Sequence, residues 1–170
     1  MATVTATDSE IAIFRHQAGM VYHVVQLNIE GLTHEESLIA PTGGANCLNW
    51  VLGHLVCIYN EMLPILGQEQ VIEGAQLDRY SRGSAPSLSA AEAIALEKLV
   101  EAWDEASKSI NTGLKTLTAD LLNQPAPYSP GKNPDETVRT LLTTVLFHQA
   151  YHAGQTGVLR RVIGKEGAIG

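Results

Sequence analysis

Four long segments of this 170-residue chain place apolar residues three and four apart, a spacing that suits packed helices and little else. The first is expected over residues 9–30, where Ile11, Phe14, Ala18, Val21, Val25 and Ile29 follow one stripe. Ile13, Met20, Val24 and Leu27 widen that stripe, so this helix should touch two neighbours or a second subunit. The second is expected over 46–66, with Asn46 as N-cap and Gly67 as terminator; its seam is Cys47, Val51, His54, Ile58, Glu61 and Ile65. The third is expected over 90–122 behind a capping box of Ser89 and Glu92, with Leu96, Leu99, Trp103, Ala106, Ile110, Leu117 and Leu121 as its seam. No histidine or carboxylate interrupts that seam, so this helix reads as structural. The fourth is expected over 134–163, with Pro134 in the first turn and Arg160 and Arg161 in the last. Its seam is Leu141, Val145, His148, His152, Gln155, Leu159 and Val162.

Glycine and proline fall almost entirely between these segments, and no strand pattern is visible. The expectation is an all-α four-helix bundle, one domain over 1–170. The links 32–45 and 124–133 are of ordinary length. The link 68–88 is long for a bundle, which makes it a candidate functional loop or lid.

Hydrophobic residues make up 45% of the chain, enough for a core that needs no staples. The net charge of -7, without Lys/Arg clusters, argues against nucleic acid and against anionic membranes. Cys47 and Cys57 are ten residues apart in one expected helix, roughly 15 Å along its axis, too far for a disulfide. Two thiols not joined in a disulfide suit a reducing, cytoplasmic setting. The N-terminal stretch has no basic start and no apolar run, so no signal peptide is expected, and no apolar run is long enough to span a membrane.

Chemistry concentrates in the histidines. His148 and His152 are four apart, one turn above each other on one helical face, and His54 occupies the seam of another helix. Three imidazoles among aliphatic seams, with no balancing carboxylate cluster, are costly in a core without a ligand. Converging, they would form a divalent-metal site with open positions, as a catalytic metal needs. Zn, Ni, Fe and Cu all suit three imidazoles. A ligating histidine hands its other N–H to an oxygen, and Gln155, Tyr151, Asn49 and Glu61 are the candidates. Glu61 reads as a buried acceptor, with ligand or general base as alternatives. Tyr151, Gln155 and Glu61 are the candidate catalytic or orienting residues. His16 and His23 are expected at the boundary or surface of the first helix, and His34 in a solvated link. Cys57 reads as a small buried hydrophobe or a soft ligand. Gly53 reads as a site of close helix packing.

The stretch Asn49-Trp50-Val51-Leu52-Gly53-His54-Leu55 resembles the first-ligand helix of the DinB/YfiT-like proteins. Phe147-His148-Gln149-Ala150-Tyr151-His152-Ala153-Gly154-Gln155 resembles their closing helix. The helix order and the roughly ninety residues between the motifs agree with the family. The resemblance implies a four-helix bundle in which His54, His148 and His152 bind a divalent metal. It does not imply DNA binding. Characterised relatives include thiol S-transferases that use bacillithiol or mycothiol, and a mycothiol-dependent maleylpyruvate isomerase. The expected function is therefore a metal-dependent enzyme that transfers a low-molecular-weight thiol to a small electrophile. Metal-assisted hydrolysis, or a non-catalytic metal-binding or dimerisation module, are the alternatives. A small-molecule substrate and a homodimer are the expected partners. A fourth protein ligand such as Glu61 or Cys57 would close the site and favour a structural metal.

Overall fold

The structure, a computed structural model, describes residues 6–85 and 89–169. Among these the regular elements are helices, and no strand forms. Four of them are long: α1 (Ala6–Ile29), α3 (Leu48–Met62), α4 (Leu96–Lys115) and α6 (Val138–Val162). Two are single turns, α2 (His34–Ser37) and α5 (Ala119–Leu122). Each long helix packs on two others: α1 on α4 and α6, and α3 on the same pair. That ring of contacts is a four-helix bundle. Among the described residues no helix is long and apolar enough to cross a membrane.

Side-chain links set the directions. The start of α1 is tied to the start of α6 by Glu10 and Arg139, and their far ends by Asn28 and Thr156. These two helices run together. The pairs Arg15–Asn111 and Gln26–Asp104 make α4 antiparallel to α1. At one end of α3, Asn49 reaches the Ile94 carbonyl just before α4. At the other, Gly113 near the end of α4 lies against Leu66. So α3 and α4 run the same way, and α6 opposes α3.

This topology explains the long link expected over 68–88. Two parallel neighbours need a return segment as long as the helix, and α3 alone spans roughly 22 Å. The return is not a loose lid. Its 3₁₀ turn, Gly74–Tyr80, packs on α3 with Leu77 and Tyr80 buried. Residues 86–88 lie outside the described residues. Nor does the link cover the extra apolar face of α1: Ile13 stays 57% and Met20 50% exposed.

The core holds most of the expected stripes, but α3 is buried nearly all round, at Leu52 and Leu55 outside its expected seam, while Ile58 and Ile65 of that seam are only partly buried. Val25, Leu52, Leu55, Leu99, Trp103 and Leu141 are all fully buried, and Tyr59 stacks on Trp103 at 5.2 Å. Each such side chain contributes on the order of 1.5–3 kcal/mol.

Several helix ends differ from the sequence expectation. Cys47, not Asn46, caps α3, and it does so without a side-chain bond. The helix tightens into a 3₁₀ turn at Leu63 because Pro64 has no N–H to offer the Asn60 carbonyl. That carbonyl accepts from Gln70 Nε2 at 3.2 Å instead. Gly67 does end the segment, in the left-handed region at φ 68.

The long third helix is split. Ser89 N–H and its hydroxyl both donate to the Glu92 carboxylate, while Glu92 N–H donates to the Ser89 carbonyl, so the pair makes half a capping box and closes only a turn. The N–H groups that would continue it are taken from across the fold. Ile94 N–H donates to Tyr80 Oη, and Leu96 N–H donates to His34 Nδ1. His34 is thus half-buried and caps α4, not solvated. Past Lys115 the chain turns, and Thr118 caps α5, which buries Leu122 in place of Leu121.

The fourth helix starts at Val138, capped by Thr137, and not at Pro134. Ala126 and Val138 N–H groups pair with Glu136 and Gln124 carbonyls, which holds the backbone extended up to Thr137. At its other end Val162 is 43% exposed, because the bundle has ended there.

Candidate metal centre

His54 sits midway along α3 and is 3% exposed. The antiparallel α6 carries His148 and His152 opposite it, both half-buried. His148 Nε2 lies 3.2 Å from His54 Nε2 and 3.1 Å from His152 Nε2. One donor atom from each ring lies within 4.8 Å of the others.

The groups behind the rings define which nitrogens face inward. His54 Nδ1 donates to the Tyr80 carbonyl at 2.6 Å. His152 Nδ1 pairs with Gln155 Oε1 at 2.7 Å, so Gln155 is placed as expected. With those protons on Nδ1, the Nε2 atoms of His54 and His152 point lone pairs toward His148. Two close nitrogen contacts then share at most one proton. His148 Nδ1 is itself buried without a hydrogen-bond partner among the described residues. A cation relieves this crowding. Nitrogens bound to one ion at about 2.1 Å stand roughly 3.0–3.4 Å apart, as the two His148 contacts do, and the remaining pair stays within 4.8 Å. The donor set therefore fits a divalent metal and can hold one.

Electrostatics agree. Burial lowers all three imidazoles below their ordinary range, His148 to about 4. The His152, His54 and Arg82 charges push His148 further the same way. Neutral rings are the form that binds metal.

Tyr80 is the positioning element, and no periodic signal marks it. Its fully buried ring lies directly against Gly53. A Cβ at Gly53 would stand 2.6 Å from Tyr80 Cγ, so the close packing expected at Gly53 is real but made with the crossover, not with a helix. Tyr80 Oη donates to Asn49 Oδ1 at 3.0 Å. Asn49 thus reaches the site only through Tyr80. Gln149, between the two α6 ligands, is fully buried and donates to the Leu55 carbonyl at 2.9 Å. It pins α6 to α3 next to His54. The sequence signal was present: Gln149 continues the Leu142, Val145, Leu146 stripe.

The histidines line one wall of a pocket of about 560 Å³. Trp50, stacked on His54 at 4.8 Å, and Ile58, Val145, Tyr128 and Pro130 make it largely apolar. Tyr151, 59% exposed, meets His152 edge-on at 5.1 Å at the mouth. Ser81, Arg82 and Gly83 of the crossover complete the rim. Nothing local in the sequence marked Arg82, Tyr128 or Pro130 as pocket residues.

Glu61 is neither a ligand nor a buried acceptor. It is exposed, lines the pocket away from the histidine group, and accepts only a long bond from the Cys57 thiol at 3.8 Å. Partial drying by the pocket wall raises its carboxyl above the usual range. Cys57 is buried and in no disulfide, burial pushes its thiol up to about 11, and it lies outside the histidine group, so it is not a ligand of that group. His16 and His23 are exposed, away from the site.

The family model of the DinB superfamily matches residues 20–156, and the chain belongs to that superfamily. A solved structure titled as a conserved protein of locus from Enterococcus faecalis is similar in fold. It has a TM-score of 0.70 at 14% identity, over 91% of this chain and 97% of that one. No curated protein matches the chain.

Proposed function

We propose that this DinB-superfamily protein is a metal-dependent enzyme that transfers a low-molecular-weight thiol to a small electrophile. One observation carries the reading: the three-histidine group opens on a pocket of about 560 Å³, and no fourth His, Cys, Asp or Glu joins it among the described residues. A structural metal has a closed ligand set, whereas a catalytic one keeps a position for substrate. A divalent ion held by His54, His148 and His152, Zn, Ni or Fe, supplies a Lewis acid that keeps a thiol deprotonated at neutral pH.

The chain's own residues do the rest. Tyr80 and Gln155 hold the His54 and His152 rings with Nε2 inward. Trp50, Ile58 and Val145 exclude water from the electrophile's apolar part. Tyr151 flanks the entry and orients what approaches His152. Glu61 stands roughly 10 Å along α3 from His54, seven residues at a helical rise, and acts on the distal part of the substrate.

The test combines metal analysis of the native protein with thiol-transfer assays on the loaded protein. His148→Ala is expected to abolish both metal binding and transfer while the far-ultraviolet spectrum stays helical, since aliphatic packing carries the seams. Ester hydrolysis without thiol transfer would replace the reading with a hydrolase. Unfolding of His148→Ala, with no turnover by the native protein on either panel, would make the metal structural.

A further inference from the structure

The pocket is charged at two places, and neither charge is neutralised from within. Arg82 stands on its rim, near enough to His148 for its charge to be felt there. It makes no hydrogen bond or ion pair with any described residue. Glu61, the pocket's only carboxylate, has no cationic partner among the described residues. Beside it is Tyr128, whose hydroxyl is buried and has no hydrogen-bond partner among the described residues. The Glu61 charge is felt at that hydroxyl.

The Arg82 charge is felt at His148, and Glu61 stands further along α3. His54, Cys57 and Glu61 descend one face of α3, which sets Glu61 roughly 10 Å below His54. Because α6 opposes α3, Thr144 lies on the Glu61 side of His148, and it too lines the pocket. The wall there includes Ile58 and Val145. A buried hydroxyl without a partner is rare and costs on the order of 1–3 kcal/mol, whereas Glu61 and Arg82 are exposed at the pocket. A carboxylate without a cationic partner, lining the pocket beside Tyr128, matches an ammonium group. An unpaired guanidinium beside the histidines matches an anion.

We propose that the pocket takes an elongated dipolar small molecule, with its ammonium end between Glu61 and Tyr128 and its anionic end beside Arg82 and the histidines. This rests on the pocket as a ligand site and names the class of substrate for the thiol-transfer reading. It does not depend on a bound ion.

The test uses four probes of one length, 6-aminohexanoate, hexylamine, hexanoate and hexan-1-ol, titrated by ligand-detected NMR into the full-length protein treated with a chelator. In the wild-type protein 6-aminohexanoate is expected to bind tightest and hexan-1-ol weakest. Glu61→Gln is expected to weaken hexylamine and 6-aminohexanoate about tenfold, as for a lost charged hydrogen bond, and hexanoate less than about twofold. Arg82→Gln is expected to do the converse, and Tyr128→Phe to weaken only the amines. Equal loss of hexylamine and hexanoate in Glu61→Gln overturns the proposal, as does wild-type binding of hexan-1-ol as tight as that of 6-aminohexanoate. The wild-type ranking needs no variant to fold. Zinc titration of the same samples by calorimetry reads the three-histidine site separately, so loss of one reading is distinguishable from loss of the other.

Discussion

Replacing Gly53 by Ala tests how a loop carbonyl orients a metal ligand. The new methyl falls inside the van der Waals surface of the buried Tyr80 ring, 2.6 Å from Cγ. The ring has no room to yield, being fully buried, so the 3₁₀ turn must shift. Overpacking of this kind costs about 1–3 kcal/mol. The shift also strains the bonds of Tyr80 Oη to Asn49 and Ile94, each contributing about 1 kcal/mol. Removing a helical glycine returns somewhat under 1 kcal/mol. The net loss is about 2–4 kcal/mol, or very roughly 5–15 °C in Tm for a chain of this size. The Tyr80 carbonyl moves with its ring, and His54 Nδ1 loses its 2.6 Å acceptor. Loss of such a partner weakens metal binding roughly 10–100-fold. Urea unfolding and zinc competition against a chromophoric chelator, at a temperature where both proteins are folded, measure the two effects. Gly19→Ala is the control: it lies on exposed α1 with open space at Cβ, and should stabilise by about 0.5–1 kcal/mol. Wild-type zinc affinity in folded Gly53→Ala would refute the idea that Tyr80 aims His54.

Two further outcomes follow from the structure. The metal-free protein should lose stability as pH falls from about 6.5 toward 4. In that window the unfolded imidazoles take protons that folded His148, lowered to about 4, refuses. Within that window His148 contributes a slope of up to about 1.4 kcal/mol per pH unit; its stabilising contribution is full above the unfolded value and lost as pH falls through the folded one. Denaturant melts at pH 7.5, 6 and 5 check this, and an equal slope in His148→Ala would refute it. The uncovered Ile13 and Met20 on α1 are expected to bury themselves in a homodimer. Light scattering should give twice the 18.3 kDa chain mass, and Met20→Glu should halve it; a monomer at micromolar concentration rejects the interface.

The histidine site was legible in the chain because helical periodicity is local. A spacing of four puts His148 and His152 on one face whatever surrounds them, and His54 fell in a seam for the same reason. Gln155 was legible at three residues from His152. Tertiary structure decided what periodicity does not encode, namely the direction of each helix and the partners of its ends. The seams of α3 and α4 look alike whether the helices run together or oppose. Running together, they force a crossover, and the crossover brings Tyr80 behind His54 and Arg82 to the pocket. The same long-range bonds moved helix boundaries. Ser89 and Glu92 carried a sound local capping signal, yet Tyr80 and His34 claimed the N–H groups of Ile94 and Leu96, and α4 began later. Glu61 shared a seam with His54, but seven residues of helical rise carried it along the pocket away from the histidines. A stripe names the face a residue occupies, and only the packed chain sets what stands across from it.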